Sequence, residues 1–159
     1  MSVFCNQADC ANCIAKEIQK RKRRAGMKNS IDDQECVAHV DASHIRQLTL
    51  DDIPLIMEFM EAAFSLLPGY YHELASAVEH HDTRRFHKLA HAIAGAARGV
   101  GLKKIGALAK SYEAAPRCPD DFDITRLWDV HEETKLAVRE MLKELGVPEE
   151  KIATLCWLH

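Results

Sequence analysis

The sequence predicts an all-α protein: an antiparallel up-down four-helix bundle with an additional helical element before it and a short helix after it. Three observations carry this. Across residues 51–145 apolar side chains recur at i, i+3, i+4 and i+7, the spacing of one face of a 3.6-residue helix. Seven Gly and five Pro in 159 residues leave few interruptions, while Ala, Leu, Glu and Lys, which lose little on entering a helix, are plentiful. The interruptions that do occur, at Pro68-Gly69, Gly99 and Gly101, Pro116 and Pro119, and Gly146 and Pro148, leave short links suited to antiparallel neighbours.

Residues 1–30 read as a Cys-rich and basic extension, and residues 31–159 as the helical bundle, with its core at about 50–145. In the extension, Cys5, Cys10 and Cys13 precede Ile14-Ala-Lys-Glu-Ile-Gln-Lys, a short helix leading into the cluster Lys20-Arg-Lys-Arg-Arg24. Such a run is ordinarily a solvated face or a flexible arm. Residues 25–30 form a linker, and Asp41-Ala-Ser-His44 starts a turn or short helix. The first long helix begins at Asp51 and Asp52, whose charge complements the helix dipole. It carries Ile53, Ile56, Met60, Phe64 and Leu67 and is expected to break at Pro68-Gly69. A second helix then runs through Tyr70, Leu74, Ala77 and Val78 to about His81.

Asp82 is placed to cap the central helix, accepting from the amide of Arg84 or Arg85. In it, Phe86, Leu89, Ala90, Ile93, Ala97 and Val100 form one buried stripe. At roughly 100° per residue, His91 and Gly95 fall away from that stripe and should look outward. Gly95 costs roughly 1 kcal/mol in a helix relative to Ala. With Ala92 and Ala94 it clears bulk from around the imidazole, and Arg84, Lys88 and Arg98 lie on the same outer side. Cations there favour an anion held at the ring. A lone helical histidine is ordinarily a solvated surface residue; the glycine and the cations single out His91 as a histidine offered for phosphorylation. His87, one turn earlier, is positioned to tune it. Gly99 and Gly101 close this helix.

The next helix carries Leu102, Ile105, Leu108, Ala109 and Tyr112, and the segment from Pro116 to Asp121 ends it and supplies acidic caps to its successor. That successor, marked by Ile124, Leu127, Trp128, His131, Val138, Met141, Leu142 and Leu145, spans about six turns. Its His131 falls on the apolar stripe and reads as a satisfied core histidine. Residues 149–159 form a short last helix whose Ile152, Leu155 and Trp157 pack back.

His91-Ala-Ile-Ala-Gly95-Ala-Ala-Arg-Gly-Val-Gly101, preceded by Asp82-Thr-Arg-Arg-Phe-His-Lys-Leu-Ala90, resembles the signature of histidine phosphotransfer (HPt) domains. Their motif, similar to His-x-Leu-Lys-Gly-Ser/Ala-Ala, sits on the second long helix of a four-helix bundle. The likeness extends over about residues 50–145. It departs at one position: the lysine that usually follows the histidine by three, and helps hold the phosphoryl group, is Ala94 here, so that role would pass to Lys88 or Arg98. The resemblance implies that His91 accepts a phosphoryl group from a receiver-domain aspartate and passes it to another receiver in a two-component phosphorelay. The implied partners are response-regulator receiver domains or a hybrid sensor kinase. Gly95, Ala92 and Ala94, with Arg84, Lys88 and Arg98, would form the contact surface. No Gly-x-x-x-x-Gly-Lys-Ser/Thr segment occurs, so the chain reads as a carrier dependent on a donor and not as an autonomous kinase.

Other classes stay open at this level. A bundle of the same shape could only dock to receivers or kinases without being phosphorylated, which the missing lysine favours. The cysteines could make a metal- or redox-responsive regulator. Cys5, Cys10 and Cys13 with Cys36, His39 or His44 have the donor set of a tetrahedral zinc site. Their spacing also occurs at plant-type iron–sulfur centres, and Cys10 and Cys13 could instead pair with Cys156 and His159. Unligated thiols are the plainest reading, and the bundle itself calls for no cofactor. The net charge of -3 argues against nucleic-acid binding as the task of the whole chain. No apolar run reaches the roughly 18 residues of a membrane span. The first thirteen residues, with Asn6, Gln7, Asp9 and Asn12, hold no signal-peptide core. A cytoplasmic protein with reduced cysteines is expected.

Overall fold

A computed structural model describes residues 38–158; Cys5, Cys10, Cys13, Cys36, the basic cluster at 20–24 and His159 lie outside the described residues. Among the described residues all regular structure is helical. The helices are α1 (Ala42–Thr49), α2 (Ile53–Glu79), α3 (Thr83–Gly99), α4 (Lys103–Glu113), α5 (Thr125–Glu144) and the single turn α6 (Glu149–Ile152), followed by a 3-10 turn at Cys156–Leu158. None of these helices is long and apolar enough to cross a membrane.

Side-chain caps start the first three. Asp41 accepts from the amide of His44 at 3.1 Å, Asp52 from Leu55 at 3.3 Å and Asp82 from Arg85 at 2.9 Å, each satisfying a first-turn donor that has no partner inside the helix. Pro68-Gly69 does not break the chain: α2 runs for 27 residues straight through Pro68. A proline inside a helix costs about 3 kcal/mol or more. Continuing the helix buries Leu67, Tyr71, Leu74 and Ala77 completely, and large apolar side chains contribute roughly 1.5–3 kcal/mol each when buried. Packing outweighs the lost hydrogen bond. Two expectations about the C-terminal part are also corrected. Asp123, not Asp120 or Asp121, serves the start of α5, accepting from the Thr125 amide at 2.9 Å, while Asp120 pairs with Arg117. The last segment is not one helix but the turn α6 and a 3-10 turn, with Ile152, Leu155 and Trp157 nonetheless buried as their spacing implies.

The helix α3 lies between α2 on one flank and α4 on the other, and α4 packs in turn on α5. Its stripe Phe86, Leu89, Ala90, Ile93 and Ala97 is buried, with Val100 half-buried at the end. Glu73 meets Arg85 at 3.3 Å, and Phe59 and Met60 share a cleft with Val100, so α2 runs antiparallel to α3. His87 meets the Ala115 carbonyl, His91 meets Glu113, and the Arg98 stem lies over Gly106, so α4 is antiparallel to α3 as well. That last crossing is close: a Cβ on Gly106 would sit 2.4 Å from Arg98 Cγ. The α3–α4 corner is tight for a second reason. Gly101 adopts φ +83°, its carbonyl accepts from the Asp41 amide at 2.8 Å, and a Cβ there would stand 2.8 Å from Ile45 Cγ1. Only glycine meets both demands.

Aromatic rings join α2 to α5 and the C-terminal turn. Phe64 stacks on Trp157 with centroids 4.5 Å apart, and Tyr71 meets Trp128 edge-on at 5.1 Å. Beneath them His131 is buried, as its place on the apolar stripe implies, and takes a hydrogen bond on Nδ1 from the Tyr71 hydroxyl at 3.1 Å. Burial, with Lys135 nearby, pushes its pKa from 6.5 down to about 4. The unfolded chain therefore binds that proton first. Stability is full above about pH 6.5 and should fall by about 3 kcal/mol as pH drops through 4. Urea unfolding of the wild type and of His131→Leu across this window checks it: the variant should show the shallower loss, and parallel curves would remove His131 as the cause.

Candidate functional site

The outer face of α3 carries Arg84, Lys88, His91, Gly95 and Arg98 at successive helical turns, and all five are exposed. The stripe that buries Phe86, Ile93 and Ala97 forces this, because residues on the opposite side of the same rod have nothing to pack against. The His91 side chain is 75% exposed. Gly95, one turn on, has open space where a side chain would project, so nothing on α3 shields the ring from an approaching molecule.

The ring is not free to spin. Its Nδ1 donates to Glu113 Oε1 at 2.9 Å, and the other carboxylate oxygen, Oε2, accepts from Lys110 Nζ at 2.9 Å. Glu113 is 23% exposed. The Lys110 ammonium, and after it His91, hold its carboxyl below the usual carboxylate range. An ionised carboxylate on Nδ1 selects the tautomer with the proton on that nitrogen, which leaves the lone pair on Nε2. The site is thus a nucleophilic nitrogen at an open surface, oriented from behind by an anion that is itself held by a cation.

Sequence reasoning missed Glu113 and Lys110. They come from α4, 22 and 19 residues further along the chain, and no spacing within α3 points to them. The retrievable signal was the polar pair Lys110 and Glu113, one turn apart on a helix whose other face is apolar.

Two expected site residues behave differently. Ala94 is only 4% exposed and lies on the flank that packs against α4, so it offers no surface to a partner; Ala92, half-buried, is nearer the rim. His87 is half-buried and donates from Nε2 to the Ala115 carbonyl at 2.7 Å. It fastens the start of α3 to the end of α4 and acts as a latch. Arg84, Lys88 and Arg98 form no ion pair among the described residues, leaving their charges uncompensated beside His91.

The histidines considered as metal ligands are likewise engaged in structure. His39 donates from Nδ1 to Thr134 Oγ1 at 3.3 Å, and its Nε2 takes a hydrogen bond from Lys104 Nζ at 3.1 Å. Burial, then the Lys104 charge, lowers its pKa. His44 donates from Nε2 to the Gly99 carbonyl at 3.1 Å. Among the described residues no three His, Cys, Asp or Glu side chains converge on one point. Cys118 is buried and Cys156 exposed, both as free thiols.

Comparison with known protein families, with curated proteins and with solved structures returned no match.

Proposed function

We propose that this chain is a histidine phosphotransfer protein built on an HPt-like four-helix bundle of α2, α3, α4 and α5, with His91 as the phosphoacceptor. The observation that carries the reading is the His91 ring, 75% exposed, with Nδ1 bound to Glu113. The Nε2 lone pair attacks the phosphorus of a receiver's aspartyl phosphate, the aspartyl O–P bond breaks, and the receiver's carboxylate departs as the anion. The Nδ1 proton stays where Glu113 holds it, so the ring carries the positive charge that forms against an adjacent negative one. The reverse step loads a second receiver. The bundle supplies position and the uncompensated cations Arg84, Lys88 and Arg98 attract an acidic partner pocket.

Apolar surface also supports a protein partner. Along α2, where it runs beside α3, Leu66 is 51% and Phe59 37% exposed. The pairing of Glu73 with Arg85 sets Leu66 level with Ala92 along the α2–α3 pair, so an exposed leucine lies at the same height as the histidine's turn. Apolar surface ringed by charge suits a transient interface.

The assay is transfer of acid-labile label from a phosphorylated receiver domain, with the site located by peptide mapping. Glu113→Gln should slow loading roughly tenfold, the worth of about 1.4 kcal/mol from a charge-assisted hydrogen bond, with the melting curve unchanged. An equal rate would leave Glu113 no part in the chemistry. Retained receiver affinity with no label on any histidine would turn the reading into a docking module.

A further inference from the structure

We infer that the cation that holds the phosphoryl group on His91 is Lys110, supplied by α4, in place of a lysine on α3 itself. This rests on the phosphoacceptor reading and adds to it the residue that keeps the carrier loaded. The antiparallel pairing of His87 with Ala115, His91 with Glu113 and Arg98 with Gly106 brings Lys110 level with Ala94. Ala94 is buried on that flank, so the α3 backbone contributes no charge at this height. The neighbouring helix presents one instead. Lys110 has a side chain 56% exposed, and its ammonium is one carboxylate away from the ring, on the same Glu113 that holds Nδ1. The rival cation Arg98 has its stem laid across Gly106, further along the α3–α4 crossing.

With an exposed side chain that is anchored only at its tip by Glu113 Oε2, Lys110 can exchange that oxygen for a phosphoryl oxygen on Nε2. Glu113 then keeps Nδ1 while losing its second partner. A cation on the phosphoryl oxygens stabilises the dianionic group on nitrogen more than the loose, metaphosphate-like transition state for its loss, where charge has moved off those oxygens. Lys110 therefore prolongs the life of the phosphohistidine.

The full chain is loaded with phosphoramidate, which needs no protein partner, and the decay of His91 label is followed, with His91→Gln as the blank. Lys110→Met should shorten the half-life about fivefold, a modest share of what one preorganised charge contributes in a closed site. Lys110→Arg should restore most of it, and the melting curve should not move. Lys110→Met should shorten it similarly in a Glu113→Gln background, because the cation acts on the phosphoryl group itself; an effect that vanishes there would mean Lys110 works only through the carboxylate, and the inference falls. It falls too if Lys88→Met or Arg98→Met shortens the half-life and Lys110→Met does not. Absence of any His91 label in the wild type is a different failure: it removes the phosphoacceptor reading, and this inference with it.

Discussion

His91→Gln should take no acid-labile label from a phosphorylated receiver under conditions that label the wild type to completion, while its helical circular dichroism and unfolding midpoint stay where they were. The two halves of that expectation have separate causes. Glutamine offers an amide that can still donate to Glu113 but has no nucleophilic nitrogen, so the chemistry disappears outright. The ring is 75% exposed and buries little, and surface substitutions of this kind stay within about 0.5 kcal/mol of the wild type. Label that survives the substitution would put the phosphate on another side chain, and then the geometry around His91 would have no bearing on function. Label that vanishes together with the fold is answered by the circular dichroism of the same sample.

Trp157→Ala should be the most damaging single change outside the helices, lowering stability by about 3–5 kcal/mol, a large part of the roughly 5–15 kcal/mol that holds a domain folded. Trp157 is buried against Phe64, stacked at 4.5 Å with 22° between the rings, and Phe64 in turn meets His131 edge-on at 5.2 Å. Removing the indole opens a void at the point where α2, α5 and the C-terminal turn meet. Its Nε1 is buried with no hydrogen-bond partner among the described residues, so the loss is mainly one of packing and Trp157→Phe should recover most of it. Urea unfolding monitored by circular dichroism measures both variants. A midpoint unmoved by Trp157→Ala would mean that the C-terminal turn detaches without consequence.

Ile45 shows what spacing alone leaves unread: it is buried, but it lies on the short helix α1, where two turns carry too few apolar positions for a period to register. Pro68 failed in the opposite direction. A proline is a local breaking signal, and local signals yield when the residues beyond them, here Tyr71 and Leu74, lose their burial unless the helix goes on. The exposed face that His91, Gly95, Lys88, Arg84 and Arg98 share was legible because they lie on one helix with its 3.6-residue period. Ala94 was misjudged by about a quarter turn, since a period places a residue on a face but does not say where the neighbouring helix begins to cover it.

What the chain by itself determined is the helical class, the buried face of α3 and therefore the outward aim of His91, all consequences of apolar spacing and caps acting within a few residues. What only the tertiary structure decided is the company that histidine keeps. Glu113 and Lys110 reach it because α4 folds back antiparallel across Gly106, where the lack of a side chain lets two helices approach closely. That pairing is set by the shape of the packed surfaces, a property of two helices together that neither carries in its own periodicity.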